Sequence, residues 1–555
     1  MSLSGLKDFI ANSQHWQNSR DKILQSTKLY VNSSNGFDSF LVSNLAKADE
    51  KRKISMAIFS TDRLAERFTK EINSWDSTLR TLVFPALETL PHETIQPTAE
   101  VVGKRNYVLQ KLSSAFEEKL VIATSIAALM QPIPKELKNT EFLTIETGES
   151  IDFLKLVTQL VQAGYQREEL VQGRGDFAVR GGIIDIFPPQ FAHPIRIEFF
   201  SDEIEEIRFF SLSDQRTIEV VRVKVEIPSL IYQSESYESF SSYLTKNTRV
   251  YFFDPEKLKR RAEDVIKTDQ EFIEVFWQTQ AEANTEISKL NELQLLEFEE
   301  LEQDFESKNC SIIYSTSLAI FDESSEIESI DLSVKPSVKV HRNILENFED
   351  LKIQLREKNN LAVVVAGAGL AQRVLEQASE LSIPAGIQNE NEFTKNILNI
   401  YQAELMSGFE YLPSGLRVLN EKEIFGQKTK DKEVDKLPTR RRKQIDILTL
   451  TPGDFLVHEQ HGIGKYLELQ NRKTANAQRE YLVIEFAATK RGQPADRLYL
   501  PTDQLDQITK YVGGESPALS KLGGSDWEKT KGRARKAVRQ IAAELIRLYS
   551  IRQTS

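Results

Sequence analysis

Two arginines in an otherwise apolar stretch are the residues whose chemistry stands out. Arg180 lies in the segment "GDFAVRGGIIDIFPP", and Arg196 follows in "HPIRIEFF". A guanidinium offers directed hydrogen bonds in a fixed fork, which suits it to contacts with a partner protein. The same side chains could instead be ordinary charges on the solvent face of a sheet, with the neighbouring Phe200 in a core. Taken alone, the residues favour this second interpretation.

The segment "VNSSNGFDSF" predicts a strand, a loop and a helix start, the order in which a nucleotide-binding protein places its phosphate loop. A working loop needs a lysine and a hydroxyl at the helix start, but here Phe37 and Asp38 follow Gly36. Asp38 would place a carboxylate against the phosphate anion. No GxxxxGK[ST] motif occurs elsewhere in the chain, so we expect no ATP site.

Two other short motifs predict structure rather than chemistry. In "AGAGLAQ", Gly367 and Gly369 lie between a predicted strand and helix, but Gln372 stands where a dinucleotide-binding motif has its third glycine. In "HEQHG", His458 and His461 are three residues apart, whereas the zinc-binding HExxH motif needs a spacing of four on a helix. We therefore expect a tight turn and histidines that are structural or face a partner protein, with no catalytic, cofactor-binding or metal-binding residue in this chain.

Length, charge and cysteine content indicate the number of domains, the class of partner and the cellular compartment. At 555 residues and roughly 150 residues per domain, the chain predicts about four domains. A net charge of -11 argues against nucleic-acid binding by the whole chain, although basic stretches at Arg440–Lys443 and Lys529–Arg539 remain. The single cysteine, Cys310, indicates a reducing compartment. Without a signal-like N-terminus or a long apolar run, we expect a cytoplasmic protein.

The first half of the chain must position the arginines, and its pattern changes twice. Residues 1–134 alternate predicted strands and helices, which indicates an α/β domain with a parallel sheet. A helix followed by alternating strands predicts a small α+β domain over residues 135–213. An α/β pattern resumes over residues 214–333, with one long charged helix from Asp254 to about Glu306. The fold class is thus α/β multidomain.

The second half predicts four further segments. Residues 334–426 read as another small α/β domain, and the polar, charged stretch 427–445 as a basic linker. Closely spaced strands with glycine turns predict a small β-barrel over residues 446–515. Residues 516–555 predict a helix with an apolar face and a capping box.

Several ordered segments resemble known proteins. "RGDFAVRGGIIDIFPP" followed by "IRIEFFSDEIEEIRFF" resembles a stretch shared by the nucleotide-excision repair subunit UvrB and the transcription-repair coupling factors (Mfd). "LTPGDFLVHEQHGIGKYLEL", "EYLVIEFA" and "RLYLPTDQL" resemble the RNA-polymerase-interacting barrel of the coupling factors, which is related to CarD-type regulators and absent from UvrB. "KLGGSDWEKTKGRARKAVRQIAAELIRLY" resembles the helix that joins this barrel to a translocase. Nearly the whole chain is covered, which favours the coupling factors.

For the fold, the resemblance implies a UvrB-like α/β module made of residues 1–134 and 214–333, with a degenerate phosphate loop. Residues 135–213 would form the UvrA-binding domain inserted into this module. Residues 446–515 would form an SH3/Tudor-like barrel that interacts with RNA polymerase. The final helix would lead towards a translocase whose Walker motifs lie beyond Ser555.

The resemblance also assigns contact residues. The positions that face the damage sensor UvrA correspond to Arg180, Arg196 and Phe200. The contact with the β subunit of RNA polymerase is strand-edge pairing and corresponds to one predicted strand. Its residues are Lys465, Tyr466, Leu467, Glu468, Leu469, Gln470, Asn471 and Arg472.

The implied function is that of an adaptor, which binds RNA polymerase stalled at DNA lesions and recruits the excision-repair machinery through UvrA. In the full-length family a motor using ATP and magnesium acts on double-stranded DNA and releases the polymerase. For this chain the resemblance implies no cofactor and a monomer that exposes its UvrA-binding surface. Two alternatives are a UvrB-like ATP-dependent helicase subunit, which needs an intact phosphate loop, and a freestanding transcription regulator acting through the barrel.

Overall fold

The computed structural model describes most of the chain. The described residues are 2–87, 97–114, 116–212, 215–220, 224–232, 234, 236–281, 295–317, 327–337, 344–389, 392–425, 452–458, 461–474, 477–488, 495–501, 508–510 and 519–521. The predicted linker 427–445 lies outside them, as does all but a short piece of the predicted helix 516–555.

The helices of the described residues are α1 (Ser4–Ala11), α2 (Gln14–Gln25), α3 (Asp38–Ala48), α4 (Asp62–Trp75), α5 (Ala99–Ser113), α6 (Ile126–Met130), α7 (Phe153–Gln162), α8 (Pro255–Ala281), α9 (Phe298–Ser307), α10 (Ile344–Arg356), α11 (Ala368–Glu380) and α12 (Glu421–Phe425). The strands are β1 (Lys28–Asn32), β2 (Ile54–Phe59), β3 (Arg80–Phe84), β4 (Leu120–Ser125), β5 (Ile133–Pro134), β6 (Leu143–Ile145), β7 (Gln166–Arg167), β8 (Asp176–Arg180), β9 (Ile183–Ile186), β10 (Ile195–Phe200), β11 (Glu203–Phe210), β12 (Thr217–Val220), β13 (Val225–Ile227), β14 (Tyr237–Glu238), β15 (Thr248–Phe253), β16 (Ser311–Thr316), β17 (Ser329–Asp331), β18 (Val334–Pro336), β19 (Asn360–Val365), β20 (Ala385–Ile387), β21 (Leu398–Gln402), β22 (Phe409–Tyr411), β23 (Leu416–Asn420), β24 (Phe455–His458), β25 (Gly462–Thr474), β26 (Ala477–Phe486), β27 (Asp496–Pro501) and β28 (Ile508–Lys510).

The described residues group into two compact units. One is formed by those within 1–87, 108–140 and 233–434, and the other by those within 88–107, 141–232 and 435–555. Among the described helices, none combines the length and the apolar character that a membrane crossing requires.

The first unit contains a parallel sheet with the strand order β17-β1-β16-β15-β2-β4-β3. Strands β2, β4, β15 and β16 are buried along their whole length. Their continuous apolar runs are what a strand covered on both faces requires. Helix α4 begins where the Thr61 hydroxyl accepts the Leu64 N–H at 3.4 Å, and α6 where the Ser125 hydroxyl accepts the Ala128 N–H at 3.3 Å.

A second, mixed sheet in the same unit has the order β18-β22-β23-β19-β21-β20. Its strands β19, β20, β21 and β23 are parallel, whereas β18 and β22 run antiparallel to their neighbours. Residues of both sheets belong to one hydrophobic core. The α/β multidomain prediction is confirmed at this level.

One predicted element needs correction. The charged pattern from Asp254 to about Glu306 predicts a single helix, but residues 295–297 are not helical and a separate helix, α9, begins at Phe298. A capping box explains why α9 begins here. The Glu297 side chain accepts the backbone N–H of Glu300, and the Glu300 side chain accepts the backbone N–H of Glu297.

The second unit contains the small α+β fold around the arginine segment. Its sheet has the order β12-β11-β10-β9-β8-β7, antiparallel except for the pair β7 and β8. Leu156 and Leu160 of α7 pack on one face of this sheet together with Ile184, Ile195 and Ile197. Strand β12 pairs with β11, and β13 pairs with β6. Both lie beyond residue 213, where the sequence pattern places the domain boundary.

The C-terminal part of this unit is an antiparallel sheet with the order β27-β26-β25-β24-β28. Leu456, Leu482, Ile484 and Phe486 form its core. No ladder joins β27 to β28 among the strands that the structure describes, so the sheet is seen here as open rather than as a closed barrel.

Candidate protein-interaction sites

A tight hairpin positions the first arginine. Strands β8 and β9 pair so that Arg180 lies opposite Ile183, which leaves only Gly181 and Gly182 for the turn. Gly181 has a φ of 58°, a conformation that residues with a Cβ rarely adopt. Side chains alternate along these strands, so Ile184 and Ile186 face the core while Arg180 lies on the outer face.

The outer face holds a shared ion pair. Asp185 of β9 lies directly opposite Arg196 of β10 in the ladder. Arg196 donates to the Asp185 carboxylate through Nε at 2.7 Å and through Nη2 at 2.8 Å. Arg180 donates to the same carboxylate through Nη2 at 3.0 Å. The structure therefore brings the two predicted arginines together on one buried carboxylate, whose side chain is 2% exposed.

Arg196 has further partners around it. Its Nη2 also donates to Oε1 of Gln215 at 3.0 Å, and its guanidinium lies 4.5 Å from the ring centroid of Phe210. The hydrogen bonds to Asp185 raise the pKa of Arg196 above its usual value. Its side chain is 15% exposed, against 50% for Arg180. Arg196 is thus enclosed, whereas Arg180 is half-exposed.

Phe200 ends β10 on the outer side. It is 75% exposed, while the preceding Phe199 packs against the ring of Phe153 at 5.2 Å on the other face. Ser201 follows with a φ of 57°, which turns the chain into β11. Phe200 is therefore not a core residue, contrary to the interpretation that the residues alone favour.

Asp185 is the functional candidate that sequence reasoning missed. It is the one acidic residue within the apolar stretch "GGIIDIFPP", and an isolated carboxylate there is a signal that could have been used. Its pairing with Arg196 depends on the register between β9 and β10, which spacing alone does not give.

A second ion-pair group lies on the same outer face. Arg208 of β11 contacts Glu198 and donates through Nη1 to Glu206 at 3.1 Å. Arg208 lies opposite Arg196 in the ladder between β10 and β11. Arg208 and its two glutamates therefore form an ion-pair group on the same face that is separate from Asp185.

The predicted polymerase-binding residues lie in a long hairpin. Strand β25 pairs with β24 as far as Lys465, and backbone hydrogen bonds join Tyr466 to Gly453 and Asp454 at 2.7 and 2.8 Å. On its other edge β25 pairs with β26 through Thr474. The hairpin thus continues beyond the end of its ladder with β24.

Within this strand the side chains alternate. Tyr466 is buried, and burial raises its pKa. Leu469 packs against the core, and Glu468 is exposed. The ladder skips Leu467, because Tyr466 pairs with Ile484 and Glu468 with Val483. For Asn471 and Arg472 the structure gives only their place in the strand.

The space beside the Gly36 loop, which resembles a phosphate loop in sequence, is filled by another part of the chain. A Cβ on Gly36 would lie 2.4 Å from the carbonyl oxygen of Ser407, so this loop packs directly against the second sheet. The Phe37 ring lies 5.2 Å from the ring of Phe409. Asp38 is buried and accepts a hydrogen bond from the Ser315 hydroxyl at 3.0 Å, and burial raises its pKa.

The histidine pair is structural in its setting. The ring centroids of His458 and His461 lie 4.5 Å apart. The backbone N–H of His461 donates to Nδ1 of His458 at 3.3 Å. Burial lowers the pKa of His461. No group of three or more His, Cys, Asp or Glu residues suited to a metal ion occurs in the described part of the chain.

Comparison with known proteins identifies two of these regions. The family described as the UvrB interaction domain matches residues 143–229, and the CarD-like/TRCF RID domain matches residues 450–512. The transcription-repair-coupling factor of Mycobacterium bovis is 36% identical over 539 residues, which cover 85% of this chain and 44% of that protein. That of Bacillus subtilis is 28% identical over 572 residues, covering 92% and 47% respectively.

The chain spans about half the length of the curated relatives that it matches. Both domain matches coincide with the two sheets that carry the candidate sites. The chain belongs to the family of transcription-repair coupling factors and represents the N-terminal region of these proteins.

Proposed function

We propose that this chain is the adaptor region of a transcription-repair coupling factor, which binds RNA polymerase stalled at DNA lesions and recruits UvrA. The observation that carries the proposal is the outer sheet face that combines Arg180, Arg196 and an exposed Phe200 within the segment matched by the UvrB interaction domain. An exposed aromatic side chain beside a guanidinium is a common arrangement at the centre of protein interfaces.

The proposed polymerase contact is the part of β25 beyond Lys465. Support comes from the CarD-like/TRCF RID match and from the end of the β24 ladder at that residue. A strand whose ladder ends can pair with a strand of another protein. We propose that the open five-stranded sheet is most of an SH3/Tudor-like barrel, and that the β subunit of RNA polymerase is the partner.

The domain organisation follows the same proposal. A UvrB-like module would comprise residues 1–134 and 214–333, around a UvrA-binding domain at 135–213. We propose extending that domain to about residue 232, since β12 and β13 pair with its strands. The remaining segments would be a small α/β domain (334–426), a basic linker (427–445), the RNA-polymerase-interacting domain (446–515) and a linker helix (516–555). ATP, magnesium and double-stranded DNA would serve a motor that the relatives' greater length can accommodate.

Loss of UvrA binding tests the proposal directly. The double variant Arg180→Ala, Arg196→Ala should weaken UvrA binding by about a hundredfold, since each guanidinium is a candidate hot spot. The measurement is a titration of the 555-residue chain with purified UvrA. Arg208→Ala is the matched control, because Arg208 lies on the same face in a separate ion-pair group. Equal binding by wild type and the double variant would contradict the assignment.

The alternative, a UvrB-like helicase subunit, predicts that the Gly36 loop binds ATP, whereas the adaptor proposal predicts that it does not. Such an enzyme needs phosphates to approach this loop, whereas Gly36 packs against Ser407 and Gly408. ATP hydrolysis by this chain that Gly36→Ala abolishes would favour the helicase over the adaptor.

A further inference from the structure

The two arginines on the outer sheet face have different surroundings. Arg196 is 15% exposed, and its Nε and Nη2 donate to Asp185 and Gln215 while its face lies against Phe210. Arg180 is 50% exposed. Within the described residues it donates one hydrogen bond, from Nη2 to Asp185, and its Nε and Nη1 have no acceptor there. Arg180 is therefore the more exposed of the two guanidiniums and has two donors, Nε and Nη1, without an acceptor among the described residues.

The Asp185 carboxylate holds the guanidiniums of both Arg180 and Arg196. Its side chain is 2% exposed, and a buried carboxylate is tolerated only when it is paired and hydrogen-bonded. Here it accepts three hydrogen bonds, two from Arg196 and one from Arg180. With one negative charge between two positive ones, the group keeps a single net positive charge, and the exposed end of that group is Arg180.

We propose that Asp185 is a positioning residue that fixes the Arg180 guanidinium, so that its Nε and Nη1 meet a carboxylate of the partner protein. Arg196 holds Asp185 in place from the enclosed side through its Nε and Nη2. Phe200 supplies the apolar contact on the same face. The partner surface then has an acidic side chain beside a cavity for an aromatic ring. This assignment rests on the proposed recruitment of UvrA.

The variant Asp185→Asn separates positioning from simple charge attraction. It keeps the size of the side chain but removes a negative charge, so the face becomes more positive. If charge attraction alone governed the contact, an acidic partner would bind more tightly. If Asp185 positions Arg180, binding to purified UvrA weakens by about tenfold, because a directed charge-assisted hydrogen bond is lost.

Glu198→Gln is the matched control. It removes one negative charge from the same face, but from the Arg208 group rather than from Asp185. It should leave UvrA binding unchanged or slightly tighter. Tighter or unchanged binding by Asp185→Asn would overturn the proposal, as would an equal weakening by Glu198→Gln.

A double-mutant cycle shows whether Asp185 acts through Arg180. In the Arg180→Ala background, Asp185→Asn should have less than about a twofold further effect, since residues that act through one contact are not additive. Additive effects would mean that Asp185 contacts the partner or supports the fold independently. Thermal unfolding of each variant identifies loss of folding.

If Asp185→Asn does not fold, Arg180→Lys gives a second test. Lysine keeps the positive charge but has no planar fork. It should bind UvrA about as weakly as Arg180→Ala, and binding at the wild-type level would overturn the proposal. If wild type itself does not bind UvrA, the proposed function fails; if wild type binds and these variants bind equally, only the role of Asp185 fails.

Discussion

At the scale of single residues, two buried carboxylates differ in what faces them. Asp185 meets two guanidiniums, whereas Glu71 meets neutral donors: the Met406 N–H at 2.7 Å and the Ser39 hydroxyl. Burial is the main cause that raises the pKa of Glu71 to about 8, with Glu404 adding to the rise and Arg67 opposing it. The proton on Glu71 is thus part of the folded structure near neutral pH.

This raised pKa predicts a pH-dependent stability. Between the ordinary carboxyl pKa of 4.5 and about 8, the folded state binds a proton at Glu71 that the unfolded state releases. The contribution of Glu71 is fully present below pH 4.5 and is lost as the pH rises through about 8, by at most about 1.4 kcal/mol per pH unit. Glu71→Gln should therefore raise the midpoint of thermal unfolding at pH 8 more than at pH 5. An equal shift at both values would show that Glu71 is ionised in the folded protein.

At the scale of elements, we expect strand β25 to bind the RNA polymerase β subunit through backbone hydrogen bonds. Leu467 lies beyond the β24 ladder and is skipped in the pairing with β26. Proline at this position removes a backbone N–H and fixes φ where the proposed pairing segment begins, without replacing a residue matched across the β26 ladder. Leu467→Pro should weaken binding to the RNA polymerase β subunit by about tenfold or more, as measured by titration.

Leu467→Ala is the control for this contact, because alanine keeps the N–H and loses the side chain. Circular dichroism of both variants checks that the sheet is retained. If alanine weakens binding as much as proline, the contact depends on the Leu467 side chain and not on strand pairing.

Local patterns predict these elements well, but not what lies opposite them. The alternation around Arg180 and Arg196 predicts antiparallel strands with both side chains on a surface, and the register then adds Asp185 as their common partner. Likewise the sequence shows that the Gly36 loop lacks its lysine, but not that Ser407 fills the space beside it. These missing parts are contacts between segments far apart in the chain, which only the folded structure specifies.

At the scale of the whole molecule, one core connects both sheets of the first unit. Phe37, which follows the Gly36 loop, lies against Phe409 and Tyr411 of the second sheet, with ring centroids 5.2 and 5.8 Å apart. The Gly36 loop is thus a packing element between the two sheets of the first unit, and its surroundings include the backbone of Ser407 and Gly408.

Gly36→Ala should therefore destabilise the first unit. The added Cβ would lie 2.4 Å from the Ser407 oxygen and 2.7 Å from the Gly408 oxygen, so backbone must move, at a cost of about 1–3 kcal/mol. Gly367→Ala is the control, since nothing lies within 4 Å of a Cβ there. Denaturant unfolding measures both. Equal stability of the two variants would mean that the Gly36 loop is not packed as described.

The aromatic core of the first unit also contains its own optical probe. Trp16 lies 4.9 Å from the Phe40 ring and Trp75 lies 5.3 Å from it, and both indoles are fully enclosed. They are two of the four tryptophans of the chain. Separation of the two sheets would admit water to these indoles, so a red shift of intrinsic fluorescence reports on that junction without any added label.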